Sequence, residues 1–203
     1  MSRSQAAPSL PPSDADIRGV LLERLREQHS KETGVAFLEE LGLCRGQVRV
    51  DVAIVNGSIH GYEIKSDRDS LRRLAGQAAV YGMVLDRATL VVGTKHVAAA
   101  VAAVPTWWEV QVVAAHGSDL RVRRLRRGRQ NPARSARALV ELLWLEDAQV
   151  LLAARGGLRG YRGRPRREIW DRICALYALD EIANAVRDQL KARATQRSTR
   201  PRA

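Results

Sequence analysis

The chain has 203 residues, 45% of them hydrophobic, which suits one cored domain with or without a small appendage. No apolar run could span a bilayer, the first residues lack the apolar stretch of a secretory signal, and Cys44 and Cys174 stand alone, so a membrane span, a disulfide framework and a zinc site are not expected and a reducing cytoplasm is. The net charge of +12 lies entirely in the second part: residues 1–116 hold 13 basic and 13 acidic side chains, and residues 117–203 hold 21 and 9, which points to a polyanionic partner, most often nucleic acid.

Residues 1–12 are rich in Ser, Ala and Pro and are expected to be disordered. Ser13 or Asp14 can cap a helix over about 14–29, with Ile17, Val20, Leu21 and Leu25 on one face. Residues 30–34 read as a loop. Val35 to Leu43 is apolar except for Glu39 and Glu40 and fits strand or helix. A carboxylate in such a run is costly unless it has a task or reaches solvent.

Residues 48–66 read as a β-hairpin, with arms rich in Val and Ile around Asn56-Gly57-Ser58. Asp51 lies in the first arm. Glu63 and Lys65 lie two apart in the second and share one face. A two-residue loop would put Asp51 on the wrong face from Glu63. An odd loop, or a bulge at Gly57 or Gly61, would pair Val55 with Ile59 and set Asp51 opposite Glu63. The expectation is therefore an odd loop or a bend; the bland alternative is a hairpin whose charged ends sit in water.

After the polar stretch Ser66 to Ser70, a helix is predicted over about 69–85, with Gln77 and Tyr81 one turn apart on one face. If that face meets the sheet, Gln77 reaches towards the carboxylates. Taken alone, Gln77 reads as a rim residue and Tyr81 as a core aromatic. A buried strand is predicted at 88–93, a short helix at 95–104, a strand to about 114 opened by Trp107 and Trp108, and a basic strand at 119–126. Trp107 and Trp108 read as core. The order implies a mixed sheet with helices on its faces. Beyond it, one strong helix is predicted over 132–154, then a Gly/Arg loop, then helices at about 166–178 and 180–193. The organisation reads as a domain over 13–128, a basic helical subdomain over 129–193 and a loose basic tail over 194–203.

Asp51, Glu63-Ile64-Lys65, the upstream Glu40 and the Gln77-x-x-x-Tyr81 element together resemble the PD-(D/E)XK nuclease superfamily, the last element being similar to that of its RecB-type exonuclease branch. The wording Glu40-Leu41-Gly42, Arg49-Val50-Asp51 and Gly61 through Asp69 resembles more closely the bacterial sce7726 family, over about residues 14–193. Val50 stands where the superfamily pattern places proline. The resemblance implies an α/β fold with a restriction-endonuclease-like αβββαβ core, and Mg²⁺- or Mn²⁺-dependent hydrolysis of phosphodiester bonds in repair, restriction or defence. It implies that Asp51, Glu63 and the Ile64 carbonyl hold the metal, with Glu40 contacting it through water or binding a second ion. Lys65 would orient the attacking hydroxide, and Gln77 would place the substrate or a water. Hard oxygen ligands suit Mg²⁺ and leave room in its shell for water and phosphate. Only four of the 34 basic residues are lysines, and Lys65 is one of them; a compact ammonium is not interchangeable with a guanidinium fork.

Candidate nucleic-acid contacts are Arg68, Arg72 and Arg73 beside the site, Tyr81 on the helix, Arg124 and Arg126 on the basic strand, and Arg162, Arg164 and Arg166 in the second loop. The expected partner is nucleic acid, with DNA the leading form, gripped with the help of a homodimer or partner protein; no membrane is involved. The alternative is a nuclease-fold module that binds DNA or a protein and cuts slowly or not at all. A helical adaptor built on 130–193 is a third reading.

Overall fold

The structure is a computed structural model that describes residues 11–117 and 119–199. Helix α1 (Asp14–Gln28) starts where the sequence predicts. Ser13 Oγ accepts the Asp16 N–H, and the Asp16 carboxylate accepts the Ser13 N–H at 2.8 Å, a reciprocal cap that satisfies two free donors. The ambiguous run after it is a strand, β1 (Ala36–Leu43), followed by β2 (Val48–Val55) and β3 (Ile59–Lys65). Then come α2 (Leu74–Val84), β4 (Arg87–Gly93), α3 (Val97–Ala103), β5 (Glu109–His116) and β6 (Asp119–Arg126).

The six strands form one mixed sheet in the order β1-β2-β3-β4-β5-β6. β3, β4 and β5 run parallel, joined by the crossovers α2 and α3; the remaining neighbours are antiparallel. β4 is buried from Ala88 through Gly93, which explains its unbroken apolar run. One sheet face is covered by α1, whose Ile17, Leu21, Leu22 and Leu25 pack on Val52, Ile54, Tyr62 and Ile64.

The other face carries α2 and α3 together with α4 (Ala136–Val140), α5 (Leu145–Ala153), α6 (Arg166–Leu176) and α7 (Leu179–Thr199). The helices from 129 onward share one continuous core with the sheet, running from Val50, Tyr81 and Trp108 to Leu139, Trp170 and Leu190. Asp86 clamps the two parts. It is buried and accepts the Ile59 N–H at 2.7 Å, Arg134 Nη1 at 2.5 Å and Arg187 Nη1 at 3.5 Å. Among the described residues no helix is long and apolar enough to cross a membrane.

Three boundaries differ from expectation. The single helix predicted over 132–154 is two helices. The Leu142 and Leu143 N–H groups turn back to the Leu139 and Val140 carbonyls at 3.0 Å, and Trp144 is extended. Arg193 donates to the Leu142 carbonyl at 2.9 Å and pairs with Asp147, so the break is held from far along the chain. Helix α2 begins at Leu74 rather than 69, because Asp69 accepts the Ser66 N–H at 2.7 Å and its hydroxyl at 2.6 Å in a turn of its own. Helix α7 continues through Thr199, past the tail boundary set at 193, since no breaker occurs before Pro201. Of the ends expected to be disordered, residues 1–10 and 200–203 lie outside the described residues.

Candidate active site

The β2–β3 loop is the odd, three-residue Asn56-Gly57-Ser58. Asn56 Oδ1 closes it by accepting the Ser58 N–H at 3.2 Å and the Ser58 hydroxyl at 3.3 Å. Val55 therefore pairs with Ile59, and the ladder runs to Val52–Tyr62. No bulge occurs at Gly61, which sits opposite Ala53. Its missing side chain serves packing: a Cβ there would lie 2.5 Å from Leu85 Cδ1 and 3.0 Å from Val50 Cγ1.

The pair after Val52–Tyr62 in that register is Asp51 and Glu63, and there the ladder stops. The Asp51 carboxylate accepts the Ile64 N–H at 2.7 Å in place of a backbone carbonyl. Strand β1 is also interrupted at this level. Glu39 pairs with Val52 and Leu41 with Val50, while Glu40 between them has φ 55°, in the left-handed region. That conformation costs on the order of 1 kcal/mol for a residue with a Cβ and marks sites where a side chain has been re-aimed.

A cleft of about 690 Å³ opens here, walled by Glu40, Asp51, Glu63, Lys65, Arg73 and Gln77. Glu63 is 1% exposed. Its Oε1 accepts Lys65 Nζ at 2.5 Å and Gln77 Nε2 at 2.6 Å, and its Oε2 accepts the Tyr81 hydroxyl, which also lies 2.9 Å from the Arg49 carbonyl oxygen. Burial, and then the Glu63 charge, push the Tyr81 phenol upward, so it remains a donor. Trp108 stacks on Tyr81 with ring centres 5.5 Å apart and holds it in place. The Asp51 carboxyl is pushed up to about 6, first by burial and then by the Glu63 charge, against the opposing pull of the Ile64 N–H, Arg18 and Lys65.

Arg18 is the contact that the sequence does not disclose. Its guanidinium reaches Asp51 Oδ1 at 3.2 Å, the Asp51 carbonyl at 3.0 Å, Glu40 Oε1 at 3.0 Å and Asp14 at 3.2 Å. The only signal for it is the four-residue spacing from Asp14, which reads as an ordinary surface pair on α1.

Asp51, Glu63, Lys65 and Gln77 thus converge as expected, and Arg72 and Arg73 are exposed on the cleft wall. Glu40 lines the cleft, but its carboxylate is held by Arg18 and, at 3.8 Å, by Arg49. Tyr81 is fully buried and cannot touch nucleic acid; it orients Glu63 instead. Arg68 donates to the Pro11 carbonyl at 2.7 Å and is not part of the wall. Arg124 and Arg126 lie on β6, at the far edge of the sheet from β1. Arg126 donates to the Trp108 and Pro105 carbonyls at 3.0 and 2.9 Å, a structural use, and burial lowers its guanidinium. A basic edge strand also repels a second strand, which accounts for part of the β6 charge. Arg162 and Arg164 are exposed away from the cleft, Arg164 lying 3.6 Å from Glu168. Arg166 lies over the Trp170 ring at 5.7 Å. Trp107 and Trp108 are core residues, as expected.

The sequence model of the bacteriophage P4 protein cII family matches residues 12–200. The chain belongs to that family. Protein cII of Enterobacteria phage P4 is 34% identical over 87 residues, covering 37% of this chain and 33% of that protein, so the match spans about a third of the relative's length. Among solved structures, the SPO1766 protein of unknown function from Silicibacter pomeroyi superposes with a TM-score of 0.42 and 24% identity, covering 77% of this chain and 99% of that one.

In this cII-family chain, among the described residues, no group of three or more His, Cys, Asp or Glu side chains is arranged to hold a metal ion. The cleft offers a pair, Asp51 and Glu63. Of Ile64, the structure shows the N–H engaged by Asp51. A carboxyl raised by burial and by a neighbouring carboxylate is one whose ionised form a cation would stabilise. Mg²⁺ is commonly held by one or two carboxylates with water completing its shell, so the donor set fits that ion.

Proposed function

We propose that this cII-family chain is a Mg²⁺- or Mn²⁺-dependent nuclease built on a restriction-endonuclease-like core, hydrolysing phosphodiester bonds of nucleic acid, with DNA the leading substrate. The carrying observation is the convergence of Asp51, Glu63, Lys65 and Gln77 on one open cleft beside the exposed Arg72 and Arg73. The element order α1-β1-β2-β3-α2-β4 supports the core assignment, being the order the sequence resemblance implies.

Asp51 and Glu63, with the Ile64 carbonyl, would hold the ion. Bound there, it supplies charge neutralisation at the phosphodiester and a lowered pKa for water. Gln77 and Tyr81 grip both oxygens of Glu63 and fix its rotamer. Arg18 fixes Asp51 from the α1 side and offsets its charge. Lys65, with three donors and one acceptor in hand, can turn a proton towards the attacked phosphate and stabilise the charge that builds there. Arg72 and Arg73 would bind flanking phosphates without reading bases.

One observation favours the binding-module alternative: Lys65, Gln77 and Tyr81 together engage both Glu63 oxygens and leave few lone pairs for an ion. Incubating wild type, Glu63→Ala and Lys65→Ala with single- and double-stranded DNA and RNA, with Mg²⁺ or Mn²⁺ and then with EDTA, separates the readings. The nuclease reading expects metal-dependent cleavage that both variants lose. Equal cutting by all three proteins sinks it, and binding without cutting selects the module.

A further inference from the structure

We infer that a second cleft, across the β1–β2 turn from the candidate site, takes an unpaired nucleotide of a nucleic-acid strand; only the strand's path into the first cleft rests on the nuclease reading. The turn at Cys44–Gln47 separates the two cavities. Gly46 and Gln47 line the candidate site, whereas Gly42 and Arg45 line a cleft of about 470 Å³ whose opposite wall carries Trp144, Trp170 and Arg166. Cys44 and Arg45 have φ of 47° and 61°, both left-handed without being glycine, so the turn holds Arg45 at a conformational cost.

Trp144 is 56% exposed, unlike Trp107, Trp108 and Trp170, which are buried. The Arg193 guanidinium, which also lines the cleft, lies 4.1 Å from its ring centre and is itself fixed by the Leu142 carbonyl and Asp147, so the indole is held on one face. Trp170 is 3% exposed, its buried indole N–H has no hydrogen-bond partner, and Arg166 lies over its ring at 5.7 Å. Arg45 and Arg166 are exposed and form no ion pair with a carboxylate among the described residues. The acid on the wall, Glu141, lies 3.3 Å from Arg137.

An exposed indole and the exposed Arg45 and Arg166 guanidinium groups match a base with a π-face and adjoining phosphates. A base inside a duplex is already stacked and paired, so the occupant is an unpaired one. A base joined to phosphates on either side matches an exposed indole flanked by Arg45 and Arg166, which favours a nucleic-acid strand over an acidic aromatic peptide.

The test is binding of a labelled single-stranded oligonucleotide, and of the blunt duplex of the same sequence, to the full chain in EDTA. Wild type should prefer the single strand. Trp144→Ala should weaken single-strand binding roughly 5- to 100-fold, by the loss of one stacked base, with little change for the duplex. Trp144→Phe should retain most of the affinity. Arg45→Gly removes the cation while relieving the left-handed strain, so its loss of single-strand affinity would not be a loss of fold. Unchanged single-strand binding by Trp144→Ala, or an equal loss on both forms, overturns the proposal. So does a wild-type dimer that Trp144→Ala dissociates with nucleic-acid affinity intact, which assigns the cleft to a protein contact. Metal-dependent cutting by a Trp144→Ala protein that binds single strands like wild type removes this inference and leaves the nuclease reading. The single-strand preference without any cutting does the reverse.

Discussion

Asp86 and Glu63 are both carboxylates with almost no solvent contact, 3% and 1% exposed, and they are held in opposite ways. Asp86 meets two guanidinium groups, Arg134 (shared with the exposed Asp180) and Arg187, and a backbone N–H at the junction of sheet and helices. Glu63 has one lysine, an amide and a phenol, and beside it a second acid, Asp51, is pushed up to about 6. It also lies on an open cleft rather than at a closed joint. A buried acid surrounded by cations holds a fold together. Asp51 and Glu63, each with one cationic partner and both on an opening, form the kind of acid pair that the proposed metal ion would join.

That contrast can be broken by swapping outcomes between the two places. Glu63→Ala and Lys65→Ala should each cut metal-dependent cleavage by about 10³-fold or more, since several kcal/mol of charge stabilisation is lost. Asp86→Ala should instead cost about 3–5 kcal/mol of stability, because Arg187 loses its carboxylate and Arg134 keeps only the exposed Asp180, a fall of roughly 10 °C in melting temperature. The protein that stays folded should still bind metal. A cleavage defect without instability in Asp86→Ala would erase the distinction.

The acid pair sharpens it through pH. The folded carboxyl of Asp51 is raised, to about 6. Its stabilising contribution is therefore fully present below the unfolded value near 4 and is lost as pH rises through about 6. The metal-free protein should give up as much as about 3 kcal/mol over that range. Carboxyl NMR titration should show Glu63→Gln lowering the Asp51 value and Arg18→Gln raising it. Burial, the larger cause, should keep it above the usual aspartate range in Glu63→Gln. A value near 4 in the metal-free wild type would remove the acid pair as an argument.

Tyr81→Phe tests the support behind Glu63. The buried Glu63 Oε2 and the half-buried Arg49 carbonyl share one phenolic proton and lose it, at about 1–3 kcal/mol in denaturant unfolding. The smallest effect distinguishes the arginines. Arg72→Gln and Arg73→Gln should each lower the salt slope of nucleic-acid affinity by about 1, whereas Arg126→Gln should leave it unchanged, because that guanidinium is bound to two carbonyls.

Much of the site was legible because strand alternation and loop parity decide which face a residue takes. With the odd loop that the structure shows, those two rules place Asp51, Glu63 and Lys65 together, and helical spacing adds Gln77 and Tyr81. Spacing does not say where a long side chain from another element will end. Arg18 crosses from α1 to Asp51, and Arg193 returns from α7 to hold the break before Trp144, in a run so densely apolar that it read as one helix. Glu40 stands out in the sequence as a carboxylate inside an apolar run. Its left-handed backbone, which turns the side chain to Arg18, has no signature in residue type. The basic strand misled for a related reason: charge counts locate guanidinium groups but not the carbonyls that take them up.

Diffraction from crystals soaked in Mn²⁺, measured at a wavelength where manganese scatters anomalously, tests the central claim most directly. The account predicts a peak within coordinating distance of both the Asp51 and the Glu63 carboxylates, absent in Glu63→Ala. A peak found only elsewhere, or none beside Asp51 and Glu63 in a well-ordered cleft, would contradict it.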